Sequence, residues 1–490
     1  MLNKVASTKK SGPSDIKKYF AVIIAITIMV VIYLLPLPQP LSSPEGLVYL
    51  TAEGKASLAV LTFVIILWVT EALPFPVTAL FGLLLAFAFG LAPFGDIVTL
   101  GFGNPVIVFF IGALALSAGL TRSGLADRVT TLIIQRIGLQ PRKIIFAFLA
   151  LGAFLSMWIV NMSVAAILLP MAVTILKRMG HKPLESNFGR ALMIATAWGP
   201  AIGGIATPVG NGANIVAIGY LRELAGIPIN FLTWMAVGVP AALMILPLAY
   251  LILVWVFPPE DAASEQAGSG PEATITPARL TASEWKVLAI FLLAVLFWLG
   301  DPLLSALTGV SIPLEVVALG AAVALFLPGI KIITWKEAQS DIDWGGIVLI
   351  AAGLSLGMLV FQTGAARWLA MLLFSPIDNL AMAPQIFLAV LIVELLKVFF
   401  SSNTVTGVIL IPMAISLAAA LDLNPWYLAG PVAIATSLAF ILVTSSPTNV
   451  IPYASGYFSI KDFARAGLLL TMAVPLCITV AFLIFNPLAW

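Results

Sequence analysis

Two segments of this chain, 242 residues apart, place polar residues at matching positions in apolar surroundings. The first reads N-M-S-V-A-A-I-L-L-P from Asn161, and the second reads N-T-V-T-G-V-I-L-I-P from Asn403. Each precedes another polar break, G-N-G-A-N ending at Asn214 and S-S-P-T-N ending at Asn449. Within a membrane, such breaks survive only where the backbone is buried in protein or lines a wet cavity. Matched breaks in two halves are typical of secondary transporters, which bind their substrates there.

The break S-S-N-T at 401–404 carries groups that can bind an anion. A helix that begins here presents free N–H groups and the positive end of its dipole. The side chains of Ser402, Asn403 and Thr404 add further donors. Free carbonyl groups at the end of the preceding helix suit a cation such as Na⁺. We therefore predict an anion site with a neighbouring cation site.

The later breaks predict unwound transmembrane helices. Pro447 removes a backbone donor and disfavours a helical conformation in the residue before it. In the first half, Gly210 and Gly212 allow close approach of the backbone. Both segments would free carbonyl groups for a cation and polar side chains for an anion.

The composition limits the class of protein. Of the 490 residues, 61% are hydrophobic and only 9% are charged, whereas soluble domains carry about 25% charged residues. A net charge of +2 gives no reason to expect a nucleic-acid partner. One histidine and no H-E-x-x-H motif argue against a zinc peptidase or a histidine-dependent catalytic triad. We expect a transporter rather than an enzyme, with a channel as the remaining alternative.

Apolar runs near the ~20 residues that cross a bilayer predict eleven spans. They are 19–37, 57–73, 75–94, 105–121, 190–206, 231–257, 284–304, 312–328, 345–364, 427–445 and 464–486. Two longer apolar stretches, 144–176 and 384–420, are interrupted at 156–163 and 401–406. We interpret them as re-entrant helical hairpins.

The spans divide into a cytoplasmic tail (1–18), a first span plus first repeat (19–257), a flexible linker (258–283) and a second repeat (284–490). Lysines in the tail and basic residues in the loop 177–182 predict that both are cytoplasmic. The acidic linker is interpreted as non-cytoplasmic. Each repeat has five spans plus a hairpin, and five is odd, so the second repeat should be inverted. The predicted fold is an all-α polytopic membrane protein with two inverted repeats.

This layout resembles the divalent-anion/sodium symporter family, whose members carry dicarboxylates, citrate or sulfate. Ser402-Asn403-Thr404 matches the family's Ser-Asn-Thr motif, and W-V-T-E from Trp68 is similar to its W-x-T-E segment. The resemblance covers essentially the whole chain after about residue 20.

The resemblance implies that the hairpin tips and the unwound segments form one anion site, with a sodium site beside each tip. The implied substrate-binding residues are Asn161, Asn214, Ser402, Asn403, Thr404, Ser446 and Pro447. The implied sodium-binding residues are Ser156, Asn161 and Gly210 in the first half and Ser401, Asn403 and Ser445 in the second.

The sequence departs from the family pattern at two places. The first tip reads Val160-Asn161-Met162, so two hydroxyl groups are absent. Glu394 and Lys397 lie one helical turn apart just before the second tip. We expect them to form a structural pair; alternatively, the Lys397 ammonium supplies a charge that sodium would otherwise bring.

The resemblance predicts sodium-coupled symport of C4 or C5 dicarboxylates, with Na⁺ as the coupling ion. Sodium-independent dicarboxylate exchange and sulfate-type transport stay open as alternatives. Because both tips would contact one anion, we expect them to move together in an elevator mechanism. We further expect a homodimer, embedded in the lipid bilayer of the plasma (cell inner) membrane with a cytoplasmic N-terminus.

Overall fold

The computed structural model describes residues 13–43, 46–137, 140–260, 279–374 and 380–488. These residues form helices, apart from one short hairpin of strands β1 (Leu41–Ser43) and β2 (Gly46–Val48). The first half contains α1 (Pro13–Leu34), α2 (Ala52–Thr70), α3 (Phe75–Ala88), α4 (Phe94–Phe102), α5 (Pro105–Arg122), α6 (Leu125–Ile137), α7 (Pro141–Ser156), α8 (Asn161–Arg178), α9 (Asn187–Gly203), α10 (Gly212–Ala225) and α11 (Phe231–Val256).

The second half contains α12 (Ala282–Thr308), α13 (Leu314–Phe326), α14 (Trp335–Asp341), α15 (Trp344–Gln362), α16 (Ala365–Phe374), α17 (Met382–Leu396), α18 (Asn403–Ala420), α19 (Trp426–Thr436), α20 (Pro447–Tyr453) and α21 (Ile460–Phe485). Two 3₁₀ turns, Lys397–Phe399 and Val443–Ser445, lie at the irregular segments. Within the described residues, ten helices are long and apolar enough to cross a membrane.

Both predicted hairpins are interrupted helices, as expected. Residues 157–160 separate α7 from α8, and residues 397–402 separate α17 from α18. Together with the first two residues of the helix that follows, we call these segments the first tip (157–162) and the second tip (397–404). The second interruption begins four residues earlier than predicted, because the chain tightens into a 3₁₀ turn at Lys397.

Two predicted spans are wrong at their C-terminal ends. α9 ends at Gly203 and α19 ends at Thr436, so residues 204–211 and 437–446 are unwound. We call these the first and second unwound segments. The second unwound segment begins with S-L-A-F-I-L-V, a mostly apolar run that contains no residue that ordinarily ends a helix. The segments are held open by side chains from the helices that follow.

The helices occur in the same order in the two halves. α2–α11 and α12–α21 each run through a hairpin, an unwound segment and a long final helix. The packing is reciprocal, since α5 packs against α13 while α15 packs against α3. Trp68 Nε1 donates to the Phe75 carbonyl at 3.1 Å, and Trp298 Nε1 donates to the Leu314 carbonyl at 3.3 Å. The inverted orientation of the repeats stays a prediction.

Ion pairs also join the two halves. Arg128 pairs with Glu284 at 2.6 Å, and Arg222 pairs with Glu315 at 2.6 Å. Both carboxylates are nearly inaccessible, which makes the loss of either arginine costly because an unpaired buried charge would remain.

The start of the linker lies on the same face as the basic loop 177–182, which contradicts the predicted placement of the two on opposite sides of the membrane. The Glu260 carboxylate accepts hydrogen bonds from the Ser186 hydroxyl and from the backbone N–H groups of Asn187 and Phe188 at 2.7–3.1 Å. Burial raises the Glu260 pKa, but these hydrogen bonds outweigh it and lower the pKa overall. The linker therefore begins beside α9, on the same face as the basic loop 177–182. The error arose because acidic residues carry little weight in the positive-inside bias. Residues 261–278, most of the predicted linker, lie outside the described residues.

Candidate functional site

A cavity of about 260 Å³ lies where the two tips meet the two unwound segments. The hairpins contribute Val160, Asn161, Met162, Ser402, Asn403 and Thr404; the unwound segments and the helices after them contribute Val209, Gly210, Asn211, Gly212, Ser446, Pro447 and Thr448. The starts of α3 and α15, with two side chains of α5, complete the wall. The cavity is smaller than the ~300–1,000 Å³ typical of drug-sized ligands, so it suits a small molecule.

The first tip presents one amide to this cavity. Asn161 begins α8, and its Oδ1 accepts a hydrogen bond from the Ser156 hydroxyl at the end of α7. Asn161 is 4% exposed, yet its Nδ2 has no hydrogen-bond partner among the described residues. A buried amide donor of this kind is costly unless a ligand accepts from it. The first N–H groups of α8 point the same way as the positive end of its dipole.

The second tip is richer in polar groups. The Ser402 hydroxyl caps α18 by accepting from the Val405 N–H at 3.4 Å. Asn403 Nδ2 donates to the Ser437 carbonyl at 3.1 Å, whereas Asn403 Oδ1 and the Ser401 hydroxyl have no partner in the described part of the chain. A Cβ built on Gly212 would lie 2.7 Å from the Thr404 hydroxyl, so this glycine lets the start of α10 contact the second tip.

Two asparagines hold the unwound segments open. Asn214 Nδ2 donates to the carbonyls of Gly204 and Thr207, both at 2.8 Å. In the second half, Asn449 Nδ2 donates to the carbonyls of Ala439 and Leu442 at 2.8 and 3.5 Å. These bonds replace the helical hydrogen bonds that the unwound backbone has lost.

A continuous hydrogen-bond chain joins the two tips. The Thr207 hydroxyl donates to the Met157 carbonyl in the first tip. Asn214 donates to the Thr207 carbonyl and accepts from the Ser437 hydroxyl at 3.0 Å, while the Ser437 carbonyl accepts from Asn403 in the second tip. Both tips are thus tied to one another through both unwound segments.

Oxygen atoms cluster behind the first tip. A Cβ built on Gly210 would lie 2.5 Å from the Gly204 carbonyl oxygen and 2.8 Å from that of Ser156. The Asn161 amide lies against Gly204 as well. Unwound carbonyls of this kind coordinate Na⁺ in transporters. Behind the second tip, the 3₁₀ turn at Val443–Ser445 packs against that at Lys397–Phe399, which brings the Ser445 region close to the second tip.

Not every predicted site residue lines the cavity. Asn161, Ser402, Asn403, Thr404, Ser446, Pro447 and Gly210 do line it. Asn214 is fully buried, and its amide oxygen and nitrogen are both engaged by protein partners, so it positions the site rather than lining it. Ser156, Ser401 and Ser445 lie outside the lining, in the layer where the cation sites are predicted.

The expected Glu394–Lys397 ion pair is wrong. Lys397 is 2% exposed, and its ammonium donates to the Thr406 hydroxyl at 3.1 Å. Glu394 is also 2% exposed, and its Oε1 has no hydrogen-bond partner among the residues described. One-turn spacing allowed the pairing, but the 3₁₀ turn that starts at Lys397 redirects its side chain toward α18.

Sequence reasoning missed several residues of the cavity wall, and two of them, Asn211 and Asp343, carry polar groups that bear on the chemistry. Asn211 caps α10 by accepting from the Ala213 N–H at 3.1 Å, and it occupies the position that Ser446 occupies before α20. Alignment of the two asparagine-held segments would have revealed it. Asp343 is the N-cap residue of α15, and its carboxylate accepts from the Gly346 N–H at 2.9 Å. Among the described lining residues, Asp343 is the charged one, and nothing in its local sequence places it opposite the tips.

A model of the sodium:sulfate symporter transmembrane region matches residues 16–490. The sodium-dependent dicarboxylate transporter SdcS of Staphylococcus saprophyticus is 29% identical over 443 residues, which cover 85% of this chain and 83% of that protein. An uncharacterized transporter of Haemophilus influenzae is 30% identical over 437 residues, with 86% and 89% coverage.

Among solved structures, the Alcanivorax borkumensis YdaH transporter, described as having an unusual topology, matches with a TM-score of 0.56. The match covers 98% of this chain and 99% of that one. At 13% sequence identity, this similarity supports the fold alone.

We predict that Asp343→Asn tightens the binding of succinate about threefold or more. Like charges ~8 Å apart repel by about 0.5–2 kcal/mol at effective dielectric constants of 80–20. The helix cap should survive, since Asn104 at the equivalent position caps α5 with its side-chain oxygen, which accepts from the Val106 N–H. Isothermal titration calorimetry on the purified protein measures the change.

Asp343→Ser serves as the control, because it keeps a capping oxygen and also removes the charge. Both variants should tighten binding to a similar extent. Unchanged or weaker binding in both would contradict a repulsive role for Asp343.

Proposed function

The chain belongs to the sodium:sulfate symporter family, and from that premise we propose that it imports four- or five-carbon dicarboxylates together with Na⁺. One observation carries the proposal: hydrogen-bond donors from the two tips converge on a single small cavity that no lysine or arginine lines among the described residues. Such a cavity suits a small anion. The relatives named as sodium-dependent dicarboxylate transporters support the choice of substrate.

Sodium would compensate the negative charge of an anion bound in this cavity. A dicarboxylate carries two negative charges, and the nearest wall charge, Asp343, is also negative. Moving each charge against a membrane potential costs about 2.3 kcal/mol per 100 mV. Sodium ions held by the oxygen clusters beside the tips would neutralise the anion and supply the driving force.

We propose that transport proceeds by an elevator motion. The chain of hydrogen bonds from Met157 to Asn403 supports movement of the tips and unwound segments as one unit. α3, α5, α13 and α15, which pack reciprocally, would form the fixed scaffold. A homodimer in the plasma membrane with a cytoplasmic N-terminus remains our proposal for the assembly.

Asn403→Ala should reduce succinate uptake into proteoliposomes at least tenfold. Its amide holds the Ser437 carbonyl and presents an unpartnered oxygen beside the cavity. Loss of a buried polar contact costs about 1–3 kcal/mol, which is roughly five- to 150-fold in a rate or affinity. Asn161→Ala should behave in the same way.

The matched control is Ser416→Ala, a buried residue on the same helix that does not line the cavity. It should transport like the wild type. Normal uptake by Asn403→Ala, with elution as a monodisperse folded protein, would refute the site assignment.

Sodium-independent dicarboxylate exchange is the second candidate, and Lys397 is the observation that favours it. Its ammonium is buried beside the second tip, without an ion pair to Glu394, and bonds Thr406 on α18. A fixed positive charge there could replace a sodium ion. Exchange would need no sodium, because an outgoing dianion would compensate the incoming one.

We expect replacement of external sodium by choline to reduce succinate uptake more than tenfold in wild-type proteoliposomes. In the symport account, Lys397→Met lowers the rate but leaves the sodium dependence in place. The alternative outcome is uptake that does not depend on external sodium, requires internal dicarboxylate and is lost in Lys397→Met. In that case the protein is an exchanger, and the symport proposal fails.

A further inference from the structure

A second, larger cavity lies away from the candidate site. It is an open groove of about 630 Å³ between α6, α7 and α11. One end carries the cationic side chains of Arg136, Arg142 and Lys143, and the remaining wall is built from apolar and aromatic side chains. No carboxylate belongs to the described lining of this groove.

Two of the three cations lie where the helix dipole does not favour a positive charge. Arg142 and Lys143 lie in the first turn of α7, at the positive end of the helix dipole, where cations are unfavourable. Arg136 lies in the last turn of α6, where the dipole favours a cation. Within the described residues, none of the three takes part in a salt bridge. This end of the groove therefore attracts an anion.

The apolar part continues from the charged end along α7. Phe146, Ala150 and Phe154 recur every fourth residue, so they lie on one face of the helix. Eight helical residues span about 12 Å. Phe146 and Phe154 are 46% and 55% exposed, and Tyr250 of α11 packs edge-on against Phe146 at 5.5 Å. The small side chain at Ala150 leaves room between the two phenylalanines for a linear apolar chain.

From this arrangement we propose that the groove binds one anionic phospholipid. The three cations hold the headgroup phosphate, and an acyl chain lies along Phe146, Ala150 and Phe154. Basic pockets between transmembrane helices are suited to anionic headgroups, whereas a free phosphate ion would leave the apolar part of the groove uncovered.

The lipid would be bound to α7, the helix that leads into the first tip of the candidate site. α7 ends at Ser156, whose hydroxyl holds the Asn161 amide at the first tip. A lipid bound between α6, α7 and α11 would therefore restrict the movement of α7. The binding proposal itself holds whichever anion the protein transports.

The test is native mass spectrometry of the purified full chain, titrated with phosphatidylglycerol or phosphatidylcholine. We expect the wild type to bind phosphatidylglycerol at least tenfold more tightly. The triple variant Arg136→Gln/Arg142→Gln/Lys143→Gln should lose this preference, since each cation near a lipid surface contributes about fivefold. The control variant Lys177→Gln/Arg178→Gln/Lys182→Gln removes three cations from the end of α8 and the loop that follows it, and should bind like the wild type.

Ala150→Trp supplies an independent arm, because it fills the groove without changing its charge. It should weaken phosphatidylglycerol binding at least fivefold, even if the triple variant does not fold. Wild-type phosphatidylglycerol binding by Ala150→Trp, or equal losses in the groove and loop variants, would overturn the proposal.

Discussion

A backbone group left without a hydrogen-bond partner inside a membrane costs several kcal/mol, and this constraint shapes the centre of the molecule. Two segments in the core of the protein, 204–211 and 437–446, are unwound. Asn214 and Asn449 donate to the carbonyls that unwinding exposes. Through Thr207 and Ser437, the same hydrogen bonds extend to both tips. The site therefore results from the hydrogen bonds that pair the exposed backbone groups. The same hydrogen bonds connect the tips and the unwound segments to one another.

The binding chemistry follows from this construction. Amides, hydroxyls and helix N-termini surround the cavity, so in the proposed function neutral donors would orient the anion without supplying charge. Neutralisation must then come from mobile cations, or from the buried ammonium of Lys397. The structure separates these two tasks in space, with donors in the cavity wall and oxygen-rich or cationic groups in the layer behind it.

The sequence predicted the features that depend on local polarity and missed those that depend on distant partners. Asn161 and Asn403 stand out because polar residues interrupt apolar runs at a fixed spacing. The ends of α9 and α19 do not stand out, because the side chains that hold the backbone open there come from seven and ten residues further along the chain. The position of Asp343 in the cavity wall and the pairing of Lys397 with Thr406 could not be predicted from the sequence. Both depend on the folded structure, in which α15 and the 3₁₀ turn bring these residues into place. The prediction that the linker lies opposite the loop 177–182 is wrong, because acidic residues were weighed although only Lys and Arg carry information on sidedness.

The central claim is that one small dianion binds between the tips, and locating a bound ligand tests it most directly. Selenodiacetate is a dicarboxylate with a selenium atom between its two arms, so its anomalous scattering marks its position in a crystal grown with sodium. The account predicts one selenium peak inside the cavity lined by Asn161 and Asn403. A peak only in the groove between α6, α7 and α11, or no peak at saturating ligand, would contradict it.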